Sequence, residues 1–221
     1  MSHSQKTFIN IRLGHHIIIA RSGRIGQASF EQSLESVKLR KGDGMRLFIA
    51  LDLPWAIKRD LGGLSCNLPG ARWVPEENFH LTLRFIGETN RLQAEEIDHA
   101  LNALNGRGFV FSLSGVGWFE KNGRVNTLYA GVERNEALLK LQAKIETALH
   151  RSGLALDRRK YTPHVTLARL DMPVTPALTD FVKANNLYRS APVRADNITL
   201  FSSFLSKPQP TYTSEAEYAL L

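Results

Sequence analysis

A hairpin set among helices constrains the fold of this 221-residue chain more than any other feature. Phe109 to Val116 and Val125 to Val132 are β-prone runs on either side of Lys121-Asn122-Gly123, and Asn-Gly is a strong signal for a tight reversal between antiparallel strands. Around this hairpin, strands and helices alternate. Met45 to Leu51 reads as a strand, and Pro54 opens a helix through Leu64. Residues 78 to 86 form an apolar strand, and Arg91 to Leu104 a helix with Leu92, Ile97, Ala100, Leu101 and Leu104 near one face. Past the hairpin, Asn135 caps a helix to Arg151. A strand at 162 to 169, a helix at about 175 to 186 and strands at roughly 193 to 203 and 212 to 219 follow. Hairpins mixed with helices fit an α+β architecture and disfavour a doubly wound parallel sheet.

Residues 1 to 44 stand apart. They show no sustained helical or strand period and end in the turn-like Lys41-Gly42-Asp43-Gly44. The expected organisation is therefore an N-terminal extension at 1–44, poorly ordered or preceding a true start at Met45, and one domain at 45–221. The net charge of +7 invites a nucleic-acid reading, but the extension alone holds seven basic and three acidic residues. Over half of the excess charge thus lies outside the expected domain. With 43% hydrophobic and 22% charged residues the chain has a core to pack, which excludes a disordered or fibrous protein. The apolar run Ile17 to Ala20 is far shorter than the roughly 20 residues of a membrane span. A single cysteine, Cys66, leaves no intramolecular disulfide and no cysteine-based zinc site. A cytoplasmic protein without a membrane partner is expected.

Two segments repeat one pattern: Phe79-His80-Leu81-Thr82-Leu83-Arg84 and Pro163-His164-Val165-Thr166-Leu167-Ala168-Arg169. Random placement of seven His and twelve Thr would give roughly 0.4 His-x-Thr pairs, so the spacing gains its weight from context. Both segments lie in strands, where residues i and i+2 share a face. His80 and Thr82 then point one way, and Phe79, Leu81, Leu83 and Phe85 into a core. His164 and Thr166 oppose Val165 and Leu167 in the same manner. Two imidazoles titrating near neutrality divide the work of general base and general acid, and threonine hydroxyls donate to phosphate oxygens. No Asp/Glu cluster is spaced for metal binding beside either motif, so a metal-free reaction is expected, with no cofactor.

At these residues the chain resembles the 2H phosphoesterases, and within them the RNA 2′,3′-cyclic phosphodiesterases also called 2′-5′ RNA ligases. The resemblance spans about residues 45 to 221. It rests on Arg46 to Pro54, Glu77 to Glu88, Pro163 to Arg169 and Leu200-Phe201-Ser202-Ser203. It implies a bilobal α+β fold with pseudo-twofold symmetry, two antiparallel sheets lining a central cleft and helices outside. It also implies hydrolysis of RNA or nucleotide 2′,3′-cyclic phosphates to 2′-phosphomonoesters. In that reaction His80 is the proton donor to the leaving 3′-oxygen and His164 the proton acceptor. Thr82 and Thr166 bind phosphate oxygens, and Arg169 lies near the substrate. The alternatives are 2′-5′ RNA ligation in the reverse direction and non-catalytic binding of cyclic-phosphate RNA ends. A neutral bell-shaped pH profile, a monomer and a place in RNA processing complete the expectation.

Strict alternation puts Arg169 on the face opposite His164 unless the strand bulges, while Arg84 has the parity of His80 and stands as the alternative cation. Arg158, Arg159 and Lys160 are a candidate RNA path, and Tyr161 a candidate stacking ring. His99 and His150 read as structural. Cys66, in a loop-like run, is set aside as a nucleophile.

Overall fold

Period-two alternation in β3 (Met45–Asp52) puts Met45, Leu47, Ile49 and Leu51 on one face and Arg46, Phe48, Ala50 and Asp52 on the other, and only Arg46 and Asp52 are exposed. The computed structural model describes residues 8–13, 16–21, 45–204 and 210–221, in two units, Met1–Lys41 and Gly42–Leu221. In the first, β1 (Phe8–Leu13) and β2 (His16–Arg21) pair antiparallel, from Phe8 opposite Arg21 to Leu13 opposite His16. This hairpin lies within residues 1–44, where the sequence shows no sustained strand period. Six-residue strands rich in isoleucine favour extended backbone over too short a span for a period to stand out.

The second unit continues from β3 through α1 (Trp55–Gly62), β4 (Arg72–Trp73), β5 (His80–Thr89), α2 (Arg91–Asn102), β6 (Phe109–Phe111) and β7 (Leu113–Lys121). Then come β8 (Arg124–Val132), α3 (Glu136–Arg151), β9 (His164–Met172), α4 (Pro176–Asn185), β10 (Val193–Ala195), β11 (Asn197–Phe204) and β12 (Thr211–Ala219). Two antiparallel halves, β12-β11-β3-β5 and β4-β9-β8-β7, form one eight-stranded sheet. Among the described residues they join at a single pairing, Leu81 with Val165. The two expected sheets are these two halves.

The runs at 109–116 and 193–203 are each broken by one residue. β6 and β10 pair with each other in a separate two-stranded ribbon, while β7 and β11 belong to the main sheet. Ser112 and Asp196 mark the change of ladder, and one polar residue inside a β-prone run carries no turn signal. The expected reversal holds: Asn122 and Gly123, with φ of 53° and 73°, form the two-residue loop between β7 and β8.

The helices start where capping residues occur. Asn135 accepts from the Leu138 amide at 3.0 Å, Asn90 and Gln93 form a capping box, and the Thr175 hydroxyl receives the Leu178 amide. The longest of them, α3, buries an apolar stripe of Leu138, Leu141, Ile145 and Leu149. In α2 the expected apolar face needs correction, because Leu92 is 73% exposed and Asp98 is buried instead. The buried Tyr218 hydroxyl donates to Asp98 at 2.7 Å, which satisfies both groups. No helix among the described residues is long and apolar enough to cross a membrane.

Candidate active site

The pairing of Leu81 with Val165 brings the two motifs together. Both residues are fully buried, so their neighbours His80, Thr82, His164 and Thr166 emerge on the opposite sheet face. Antiparallel register about that pair sets His80 toward Thr166 and Thr82 toward His164, with a pseudo-twofold axis through the pair itself.

A second symmetry corrects the parity argument. Along β5, Thr82 faces Ala50 and Arg84 faces Ile49, so Leu83 is an extra residue. Along β9, Thr166 faces Tyr129 and Ala168 faces Leu128, so Leu167 is extra. Each motif thus carries a β-bulge three residues after its histidine, and a bulge reverses the alternation beyond it. The fifth position after each histidine returns to the cleft face: Phe85 in one half, Arg169 in the other.

Two readings change accordingly, and a third is accounted for. Phe85, expected in the core, is 53% exposed and faces the cleft. Arg169, which the resemblance puts near the substrate and only unbroken alternation would turn away, lies on the cleft face, where its Nη1 donates to Thr127 Oγ1 at 2.9 Å. Arg84, expected beside His80, turns away. It donates to the Ala155 carbonyl at 2.6 Å and pairs with Glu146 at 3.3 Å and Asp157 at 3.1 Å. Its charge serves the packing of α3 and the 155–157 loop.

The two imidazoles are held alike. His80 Nδ1 lies 2.7 Å from the Asn78 carbonyl, and His164 Nδ1 lies 2.7 Å from the Thr162 carbonyl. A carbonyl only accepts, so these partners assign the proton to Nδ1 in both rings. Nε2 then has no partner among the described residues and is the nitrogen free to act. Aromatic rings wall each imidazole. Phe48 lies 4.8 Å and Tyr212 5.3 Å from the His80 ring, and Phe119 and Tyr129 lie 4.8 and 5.5 Å from that of His164.

Burial pushes the His80 pKa down to about 4, against the opposing pull of the Asn78 carbonyl. Lys58 adds to the depression, Asp52 opposes it and Arg169 adds again. Burial also lowers His164, with the Thr162 carbonyl opposing and Arg169 reinforcing. Lys58 is anchored by Asp52 at 2.7 Å and by the Glu77 carbonyl at 3.2 Å, one residue before the carbonyl that holds His80.

Tyr161, the candidate stacking ring, links the two halves through its hydroxyl. Its hydroxyl donates to the Thr82 carbonyl at 3.1 Å, and burial raises its pKa. Arg159 is gripped by Asp157 through Nε and Nη2, at 2.9 and 2.6 Å. Cys66 is exposed, and among the described residues no three His, Cys, Asp or Glu side chains converge as a metal site.

A cavity of about 370 Å³ holds His80, Thr82, Phe85, Thr166 and Arg169, and a neighbouring one of about 300 Å³ holds His164, Thr166 and Arg169. A larger cavity, about 680 Å³, lies between α2 and α3 and contains neither motif. The aromatic contributors Phe48 and Tyr212 come from β3 and β12, far in sequence from either motif, and only the ladder register reveals them.

A family model described as the 2′-5′ RNA ligase superfamily matches residues 64–203. A Thermotoga maritima protein named RNA 2′,3′-cyclic phosphodiesterase is 30% identical over 174 residues, covering 76% of this chain and 91% of that protein. An Aeropyrum pernix protein of the same name is 32% identical over 141 residues, covering 63% and 80%. The crystal structure of Escherichia coli LigT complexed with 3′-AMP, 24% identical, superposes with a TM-score of 0.67 over 80% of this chain and 99% of that one, so the fold is shared.

Proposed function

Because the chain belongs to the 2′-5′ RNA ligase superfamily of 2H phosphoesterases, we propose that it hydrolyses RNA or nucleotide 2′,3′-cyclic phosphates to 2′-phosphomonoesters. One observation carries the chemistry: two imidazoles, each with Nδ1 pinned to a carbonyl and Nε2 without a partner among the described residues, share one sheet face across the Leu81–Val165 pair. In-line hydrolysis needs this division. His164 Nε2 takes a proton from the attacking water as the new P–O bond forms, while His80 Nε2 gives its proton to the 3′-oxygen as the P–O3′ bond breaks. Thr82 and Thr166 donate to the non-bridging oxygens, and Arg169 neutralises the charge that builds on them.

His80 needs its proton when substrate is bound, yet burial strips it from the free protein. The negative phosphate between the two rings opposes this depression, so substrate itself loads the donor. Arg169 and not Arg84 serves as the cation, since Arg84 is already engaged by Glu146 and Asp157.

The test is turnover of cytidine 2′,3′-cyclic phosphate by the full chain in the presence of EDTA, with 2′- and 3′-phosphate products separated. Wild type should form the 2′-phosphate, and His80→Ala and His164→Ala should each lose about 10²- to 10⁴-fold. Absence of turnover by folded wild type, on this substrate and on a short RNA with a cyclic-phosphate end, would refute the reading.

A further inference from the structure

The cleft does not end at the reacting histidines. A third cavity, about 330 Å³, shares Phe85, Pro210 and Tyr212 with the His80 cavity and runs on to Arg46 and Arg159. Ladder register explains why Arg46 is there. In β3, Asp52 lies opposite His80, Ala50 opposite Thr82, Phe48 opposite Phe85 and Arg46 opposite Glu88. Cross-strand partners share a face, so Arg46 stands on the catalytic face, one side-chain step of roughly 6.5 Å beyond Phe48 along the strand. Phe48 already touches the His80 ring. The order along this face is therefore acid–base group, aromatic ring, cation.

Arg46 is exposed and has no ion pair among the described residues, and its cross-strand neighbour Glu88 does not line the cavity. Arg159 is fixed at the other wall by Asp157. Arg72 at the far rim of the His80 cavity has Asp171 nearby, so its charge is partly answered by the protein. Phe48 itself is buried, so the ring open to a ligand at this step is its cross-strand partner Phe85, which lines both cavities. An arginine beside an exposed aromatic ring forms the surface that a single-stranded nucleic acid engages, with phosphate on the guanidinium and base on the ring.

We propose that this third cavity is a subsite for the phosphodiester on the 5′ side of the terminal nucleotide, with Arg46 as its main cation and Arg159 on the opposite wall. The proposal rests on the placement of the cyclic phosphate at His80 and His164 and makes the preferred substrate an RNA end over a mononucleotide. A mononucleotide fills only the reaction centre. An oligonucleotide adds a second anion one aromatic step away.

The experiment compares kcat/KM for cytidine 2′,3′-cyclic phosphate with that for an RNA trinucleotide ending in the same group, in wild type, Arg46→Gln and Arg134→Gln. Arg134 is an exposed arginine paired with Glu136, and its variant controls for net charge. In Arg46→Gln the ratio of trinucleotide to mononucleotide should fall about tenfold, the order of one charge-assisted contact. The slope of log kcat/KM against log salt for the trinucleotide should become shallower by about 0.7. Arg134→Gln should keep the wild-type ratio. An unchanged ratio in Arg46→Gln, or an equal fall in both variants, overturns the subsite. Equilibrium binding of the two ligands gives the same ratio without turnover. A wild type that binds both but converts neither refutes the hydrolase reading, while the binding ratio still decides the subsite.

Discussion

Acidification should cost this protein folding free energy through its buried imidazoles, and His80→Gln should remove the His80 share of that cost. The folded pKa of His80 lies at about 4, below the ordinary 6.5 of an unfolded chain. Between those values the unfolded chain takes up a proton that the folded chain refuses, so stability falls as pH drops from 6.5 toward 4. At about 1.4 kcal/mol per pH unit this amounts to about 3 kcal/mol, a ceiling because the ring keeps some solvent contact. Urea unfolding of wild type and His80→Gln at pH 7 and pH 4 isolates it, since every other titrating group is common to both proteins. Wild type should lose up to about 3 kcal/mol more than the variant over this interval. Parallel losses would show that His80 is not depressed and would remove the argument that substrate loads the donor. The same depression moves the activity optimum. The kcat/KM profile, which reports the free protein, should peak below pH 6.5 and not in the neutral range that two unperturbed imidazoles suggest. The kcat optimum should lie higher, because the bound phosphate raises both rings.

Arg169→Ala should lower kcat/KM by at least about 10²-fold with little change in stability, because it removes a cation from the developing charge. Arg84→Ala should do the reverse, leaving kcat/KM within a few-fold while costing about 3 kcal/mol in denaturant unfolding as Glu146 loses a partner in a largely buried pair. Leu81→Ala removes a fully buried side chain at the junction of the halves and should cost about 2–5 kcal/mol by the same assay. A cost below about 1 kcal/mol would mean that the junction is not packed as described. Tyr161→Phe deletes the hydroxyl that reaches the Thr82 carbonyl, and unfolding should register about 1 kcal/mol.

The motifs themselves were legible because His-x-Thr in a strand needs only period two to share a face, and helix starts were legible because Asn135 carries its own cap. What alternation could not supply was its own interruption. Leu83 and Leu167 are ordinary apolar residues in apolar strands, and nothing in their identity marks them as bulges. Yet these two insertions decide that Phe85 and Arg169 enter the cleft and Arg84 leaves it. β4 escaped notice because two residues hold no period, although it pairs Arg72 with Arg169. Phe48, Tyr212 and Arg46 gain meaning only from strand order, a long-range property that local pattern does not carry.

The lone Leu81–Val165 rung has a mechanical consequence. Within each half, β5 is laced to β3 by eight paired residues and β9 to β8 by six, so each half behaves as a stiff plate. Between the plates the described ladder has one rung, with the Tyr161–Thr82 hydrogen bond and the Arg84–Asp157 ion pair beside it, and the two imidazoles lie on different plates on either side of that rung. The gap between the Nε2 atoms is therefore fixed by these few links across the seam, while the aim of each ring is fixed within its own plate by a carbonyl tether.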